Sequence, residues 1–167
     1  TFAKAVAAAL DGDTIIVADG LYSEAYEIKF EKLGVVVMAA EGAKPVVQLT
    51  GQWTSIILMA TTTFDGITFD GAGIAYYLLS SKGTDAGTFT FKNCEFTNWD
   101  SYWAISNQYS DNTHVKSVVV DNCIFHNATG AAIHFNENGP RGAHACDNLT
   151  ITNSTFYNLS VVEWVGI

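Results

Sequence analysis

Hydrophobic and polar positions alternate along this chain in short bursts, each broken after a few residues by Asn or Gly. Thr88 to Phe91 and Ser117 to Val120 run for four residues, meet an Asn, and the first resumes in Cys94-Glu95-Phe96. Such runs are too short for an amphipathic helix and have the period of a half-buried strand. The bursts also recur. "FKNCEFTN" (91–98), "VDNCIFHN" (120–127) and "ITNSTFYN" (151–158) share one order: apolar, polar, Asn, small, any, Phe, any, Asn. "FDGITFDG" (64–71) is a degenerate copy with Gly66 in the Asn slot. The steps from Gly66 to Asn93, Asn122 and Asn153 are 27, 29 and 31 residues. A second strand-like segment follows three of the copies: "AYYLLSSKG" (75–83), "WAISNQYS" (103–110) and "AAIHFNENG" (131–139).

A repeat of this length without a recurring helix excludes leucine-rich, ankyrin and tetratricopeptide arrays. Short strand, sharp turn, short strand is the pattern of a parallel β-helix, an all-β solenoid with rungs of about 27–31 residues. Rungs stack about 4.8 Å apart, so equivalent residues form ladders. Phe69, Phe96, Phe125 and Phe156 are expected to stack in the lumen, beside Ile67, Cys94, Cys123 and Ser154. Asn93, Asn122 and Asn153 are expected at the bends, where Asn tolerates left-handed backbone and its amide bonds to its neighbours. The outward column Thr68, Glu95, Ile124, Thr155 is mixed and suggests no catalytic row.

The N-terminus departs from this pattern. "TFAKAVAAAL" puts Phe2, Val6 and Ala9 or Leu10 on one face, a short capping helix within residues 1–11 that ends at Asp11-Gly12. Such a cap covers strand edges that an open solenoid would expose. We therefore expect one domain over residues 1–167, with the rungs occupying 14–167. "VVEWVGI" stops where another rung should begin, so continuation, or docking of further rungs or another chain at that edge, is expected.

Composition narrows the function. Hydrophobic residues make up 49% of the chain, enough for a folded core. A net charge of −9, with Arg141 the single arginine, leaves no basic stripe for nucleic acid and none for an anionic membrane surface. No stretch of eighteen apolar residues occurs, so no membrane insertion is expected. Charged residues are only 15%, which leaves Thr, Ser, Asn and Gly to cover the surface, as in β-rich extracellular proteins. Cys94, Cys123 and Cys146 lack zinc-ligand spacing. Cys94 and Cys123 read as packed free thiols in equivalent slots, with a disulfide the less favoured alternative. Asn-x-Ser/Thr sequons begin at Asn127, Asn148, Asn153 and Asn158, and turn chemistry explains most of them.

"AVAAALDGDTIIVADGLYSE" (5–24) resembles the opening of the pectate-lyase-like superfamily of right-handed parallel β-helices, and "AKPVVQLTG" (43–51) is similar to its second rung. "FKNCEFTN" and "ITNSTFYN" resemble domains of unknown function in secreted bacterial surface proteins that accompany polysaccharide-utilisation systems. The resemblance implies the fold and a polysaccharide partner at a secreted or cell-surface location. It also implies a possible uronate lyase, which would need a base and usually Ca²⁺ held by clustered acids. No such acidic cluster is visible, nor the Asn-x-Asp, Asp-Asp and Gly-His-Gly pattern of the polygalacturonase relatives. No cofactor is expected, except Ca²⁺ for a lyase.

Two regions differ between the rungs. "NWDSYWAISNQY" (98–109) gathers Trp99, Tyr102, Trp103 and Tyr109, too many to point inward from one short strand. Exposed, these rings would stack on sugars; otherwise they pack on a neighbouring rung or a partner chain. "HFNENGPRGAHACD" (134–147) holds His134, Glu137, Arg141 and His144, the catalytic candidates if the protein is an enzyme, or a solvated loop if it is not. Three functions therefore stand: polysaccharide binding, a polysaccharide lyase or hydrolase, and a structural stalk or assembly module.

Overall fold

The computed structural model describes residues 1–83, 86–107, 113–135 and 145–160. Each rung contributes one strand to each of three parallel sheets. Sheet A is built from Thr14–Val17, Val35–Ala39, Thr62–Asp65, Thr88–Lys92, Val115–Asp121 and Cys146–Thr152. Sheet B takes Leu21–Glu24, Val46–Leu49, Thr68–Asp70, Glu95–Thr97, Ile124–Ala128 and Thr155–Leu159. Sheet C takes Ile28–Phe30, Ile56–Leu58, Tyr77–Ser81, Trp103–Asn107 and Ala131–His134. The chain is a parallel β-helix, and five of its rungs carry all three strands among the described residues.

The repeated Asn makes the bend from sheet A to sheet B. Asn93, Asn122 and Asn153 have φ of 53°, 53° and 52°, and Gly66 holds the same slot at 72°. A left-handed residue turns the chain sharply without a loop, and Asn and Gly pay least for it. The amides also tie the rungs together: Asn122 Nδ2 donates to Asn93 Oδ1 at 2.7 Å, and Asn93 Nδ2 donates to Asp65 Oδ1 at 2.6 Å. Asn153 Nδ2 and Thr152 Oγ1 both donate to Asp121 Oδ1, which holds that carboxyl below its ordinary range. The last Asn of the repeat works in the same way. Asn98, Asn127 and Asn158 have φ of 56°, 55° and 51°, and Asn158 Nδ2 donates to Asn127 Oδ1 at 2.6 Å.

The lumen is filled by the repeated aromatic. Phe69, Phe96, Phe125 and Phe156 are in register on sheet B. Their rings stack at 5.3, 4.3 and 4.7 Å. Each fully buried Phe contributes about 1.5–3 kcal/mol, and a ring pair adds about 0.5–1.5 kcal/mol. Ile67, Cys94 and Cys123 are buried beside this ladder, and Ser154 is half-buried. Phe156 is 41% exposed, whereas Phe125 is wholly buried, because among the described residues Thr155–Leu159 is paired on one side only.

The helix Phe2–Ala8 closes the other end, with the Thr1 side chain accepting from the Lys4 amide. Phe2 and Val6 are buried, and the Phe2 ring lies 6.4 Å from Phe30. Of the two candidates for the third contact, Ala9 is buried and Leu10 is exposed. Helical geometry stops at Ala8, so Leu10 falls beyond the face it would need to share.

Replacing Asn122 by Ala is expected to cost about 1–2 kcal/mol more than replacing it by Gly, since both remove the amide but only Ala resists φ > 0. Urea unfolding of the two variants checks this, and equal midpoints would contradict it.

Candidate functional site

The lateral surface carries one large aromatic array, built where sheet C breaks its own alternation. Ile105 pairs with Leu79 and Ile133, and Trp103 pairs with Tyr77 and Ala131, while Leu78, Ala104 and Ala132 are skipped. Leu78 and Leu79 are both in the core, as are Ala104 with Ile105 and Ala132 with Ile133. Two consecutive inward residues shift the phase of the strand. Tyr77 and Trp103 consequently leave the lumen and join the outward side of the sheet.

There they meet rings from the turns leading out of sheet B. Trp53, 62% exposed, lies 4.8 Å edge-on from Tyr76, and 6.3 and 6.5 Å from Tyr77 and Tyr102. Tyr102 stacks on Tyr77 at 5.2 Å and meets Tyr76 edge-on at 5.1 Å. Trp103 sits beneath Tyr77 and Tyr102 and stacks on the His134 ring at 4.1 Å. The array thus crosses four rungs, from the turn of Trp53 to the strand of His134. Gln52 Nε2 donates to the Tyr76 hydroxyl, and Thr129 Oγ1 donates to Asp100 Oδ1 at 2.6 Å near the Tyr102 turn. Exposed Trp53 with half-buried Tyr76, Tyr77 and Tyr102 offers apolar ring surface framed by amide, hydroxyl and carboxylate groups.

The four aromatic candidates read from the sequence separate. Trp99 is 1% exposed and belongs to the core, its indole N–H donating to the Ala131 carbonyl at 3.1 Å. It therefore cannot present a face to a sugar. Gly130 explains the fit: a Cβ there would lie 2.1 Å from the Tyr102 carbonyl oxygen and 2.8 Å from Trp99 Nε1. Trp103 is 2% exposed and acts as the floor of the array rather than its surface. Tyr102 is half-buried at its centre. Tyr109 lies outside the described residues. Trp53, Tyr76 and Tyr77 were not singled out by the sequence reading, although Tyr77 stands 26 residues before Trp103 in the equivalent segment.

Of the catalytic candidates, Glu137, Arg141 and His144 lie outside the described residues. His134 ends the array. Burial lowers its pKa below the ordinary 6.5, which keeps the ring neutral near pH 7. Among the described residues no group of three His, Cys, Asp or Glu side chains is placed to hold a metal ion. No helix among them is long and apolar enough to cross a membrane.

A second polar surface lies on sheet B. His126 Nε2 sits 2.7 Å from Glu95 Oε1, and its ring stacks on Tyr157 at 5.0 Å. Glu95 belongs to the mixed outward column, and its partner comes from the next rung, two positions beyond the Ile124 with which it is in register. Glu95 also lines an open groove of about 450 Å³ along the Asn bends, together with Lys44, Thr68 and Thr155.

Comparison with known proteins agrees with this architecture. Residues 20–159 match the family described as Domain of unknown function (DUF4957). The chain belongs to that family. Among solved structures it is similar to a mutant of the PL6 family alginate lyase AlyGC, with a TM-score of 0.73 and 19% identity. The match covers 93% of this chain and 23% of the lyase, so this chain spans under a quarter of that protein's length. The shared fold is the right-handed parallel β-helix. No curated protein matches the chain.

Because the neutral form of His134 is favoured by folding, the stability it contributes is present above pH 6.5 and is lost as pH falls through 6.5 toward its lower folded value. Imidazole NMR is expected to show His134 titrating with a midpoint below 6.5, and a midpoint at or above 6.5 would contradict the burial argument.

Proposed function

We propose that this protein is a polysaccharide-binding β-helix domain of the cell exterior, and that Trp53, Tyr76, Tyr77 and Tyr102 form its sugar-facing surface. The observation that carries this reading is the run of partly exposed rings across successive rungs. Aromatic faces cover the apolar faces of sugar rings, and neighbouring polar groups such as Gln52 and Asp100 can bond to hydroxyls. A linear polymer suits a linear row of rings, since each successive residue can meet another aromatic. Similarity in fold to an alginate lyase is compatible with a polysaccharide ligand. The low charge density and Asn/Thr-rich surface support an extracellular location.

Similarity in fold to an alginate lyase supports a second, catalytic reading. In it the imidazole of His134, neutral near pH 7, would be the base once its ring nitrogens, buried against Trp103, were uncovered by a bound polymer. A lyase of this kind would use Ca²⁺ to neutralise a uronate carboxylate. Assay of a uronate panel for unsaturated products, with and without Ca²⁺, separates it from the binding reading.

Affinity electrophoresis in gels containing alginate, other polyuronates or neutral plant polysaccharides tests the binding reading. Retardation by at least one polymer is expected, and Trp53→Ala or Tyr102→Ala should weaken it roughly tenfold, about 1.4 kcal/mol. Tyr157→Ala, on the opposite sheet, should leave it unchanged. With a net charge of −9, binding to a polyuronate should strengthen as salt is added, whereas binding to a neutral polymer should not respond. No retardation by any polymer, or equal retardation of wild type and Tyr102→Ala, would overturn the proposal.

A further inference from the structure

Tyr26 lies beyond the array described above, yet on its line. It is 84% exposed and sits in the first turn from sheet B to sheet C, between Glu24 and Ile28. That turn is tied to the next by Thr54 Oγ1, which donates to the Ala25 carbonyl at 2.9 Å. The Ile28 amide makes a second tie, donating to the Ser55 carbonyl at 3.2 Å. The later turns are joined in the same way: the Tyr76 amide donates to the Gln52 carbonyl, and the Trp103 amide to that of Tyr76. Tyr26, Trp53, Tyr76 and Tyr102 therefore hang from successive turns, a row about 14 Å long between its first and last rungs. The following turn holds Thr129 and Gly130 and carries no ring. A side chain at Gly130 would strike the Tyr102 carbonyl oxygen, so the row ends at Tyr102.

This edge of the solenoid is acidic. Glu27 adjoins Tyr26, Asp100 stands two residues before Tyr102, and Asp70 Oδ1 accepts from the Ala72 amide in the turn that carries Tyr76. Among the described residues these turns hold no lysine or arginine. Lys29, on the strand after the first turn, has its Nζ 3.9 Å from Glu27 Oε2. Lys4, Lys32, Lys44, Lys82, Lys92 and Lys116 belong to the helix, to sheet A, to the A-to-B bends or to the turns from sheet C to sheet A. We propose that the row from Tyr26 to Tyr102 takes a segment of an uncharged glycan laid along the solenoid axis, and disfavours polyuronates. This rests on the reading of the rings as a sugar surface and narrows its ligand to neutral polymers. The rings cover apolar sugar faces, and the carboxylates accept from sugar hydroxyls, as Asp100 already accepts from Thr129. A uronate carboxylate placed among these acidic side chains is repelled.

Affinity gels containing neutral glucan, mannan, xylan or fully methyl-esterified polygalacturonate are run at low salt beside gels containing alginate or unesterified polygalacturonate. At least one neutral polymer is expected to bind about tenfold more tightly than either polyuronate, and added salt should narrow the gap. Tyr26→Ala should weaken binding to that neutral polymer about three- to tenfold. Its side chain stands in solvent, so the loss would not come from unfolding. A polyuronate bound as tightly as every neutral polymer, and released by Trp53→Ala, would overturn this inference while leaving the sugar surface in place. Equal retardation of wild type and Tyr26→Ala would overturn it too. No retardation by any polymer would overturn both the inference and the reading on which it rests.

Discussion

The parallel stacking of one rung on the next is the constraint from which the rest of the structure follows. Every backbone group that pairs between rungs requires its neighbour to turn at the same place with the same hand. Left-handed residues at the bends meet that requirement, and Asn fills two such positions in each of the last three copies of the repeat. Its amide adds a bond along the solenoid axis, between rungs whose backbones are already paired. The Phe ladder depends on this register, because rings can stack at 4.3 Å only where the strands beneath them are aligned.

Much of this architecture was legible in the sequence because stacking enforces identity. Asn93, Asn122 and Asn153 had to be alike, and so did Phe69, Phe96, Phe125 and Phe156. The same logic places Cys94 and Cys123 in the lumen, where both are buried. The functional surface was less legible, for a definite reason. Local aromatic density near residues 98–109 does not say which rings face out, since alternation fails at Leu78, Ala104 and Ala132. Trp99 consequently turned inward, and Trp103 became a floor. Trp53, Tyr76 and Tyr77 are far from that cluster in sequence and reach it only through stacking. The pairing of His126 with Glu95 likewise requires knowing which rung lies above which.

Construction and chemistry are therefore divided between the sheets. The A-to-B bends carry the asparagine ladder and the thiol pair, where the demands of the fold are strictest. Sheet C and the turns entering it carry the ring surface, where a broken alternation releases large side chains from the lumen. The acidic balance of the chain bears on both sides. Of the described ion pairs, His126 with Glu95 and His114 with Asp147 each place an imidazole within 2.9 Å of a carboxylate. In a chain with few lysines, histidine supplies part of the available counter-charge, and only when protonated.

The aromatic surface is assembled from one or two residues per rung, and no loop is shared among them. Trp53, Tyr76 and Tyr102 each hang from a separate turn whose backbone is fixed by its own hydrogen bonds to the rungs on either side. An exchange at one ring leaves the scaffold of the others in place, as in any array stabilised through nearest neighbours. A solenoid built this way can change the shape of its outer surface one tooth at a time without moving the glycine and asparagine bends that set the spacing between teeth.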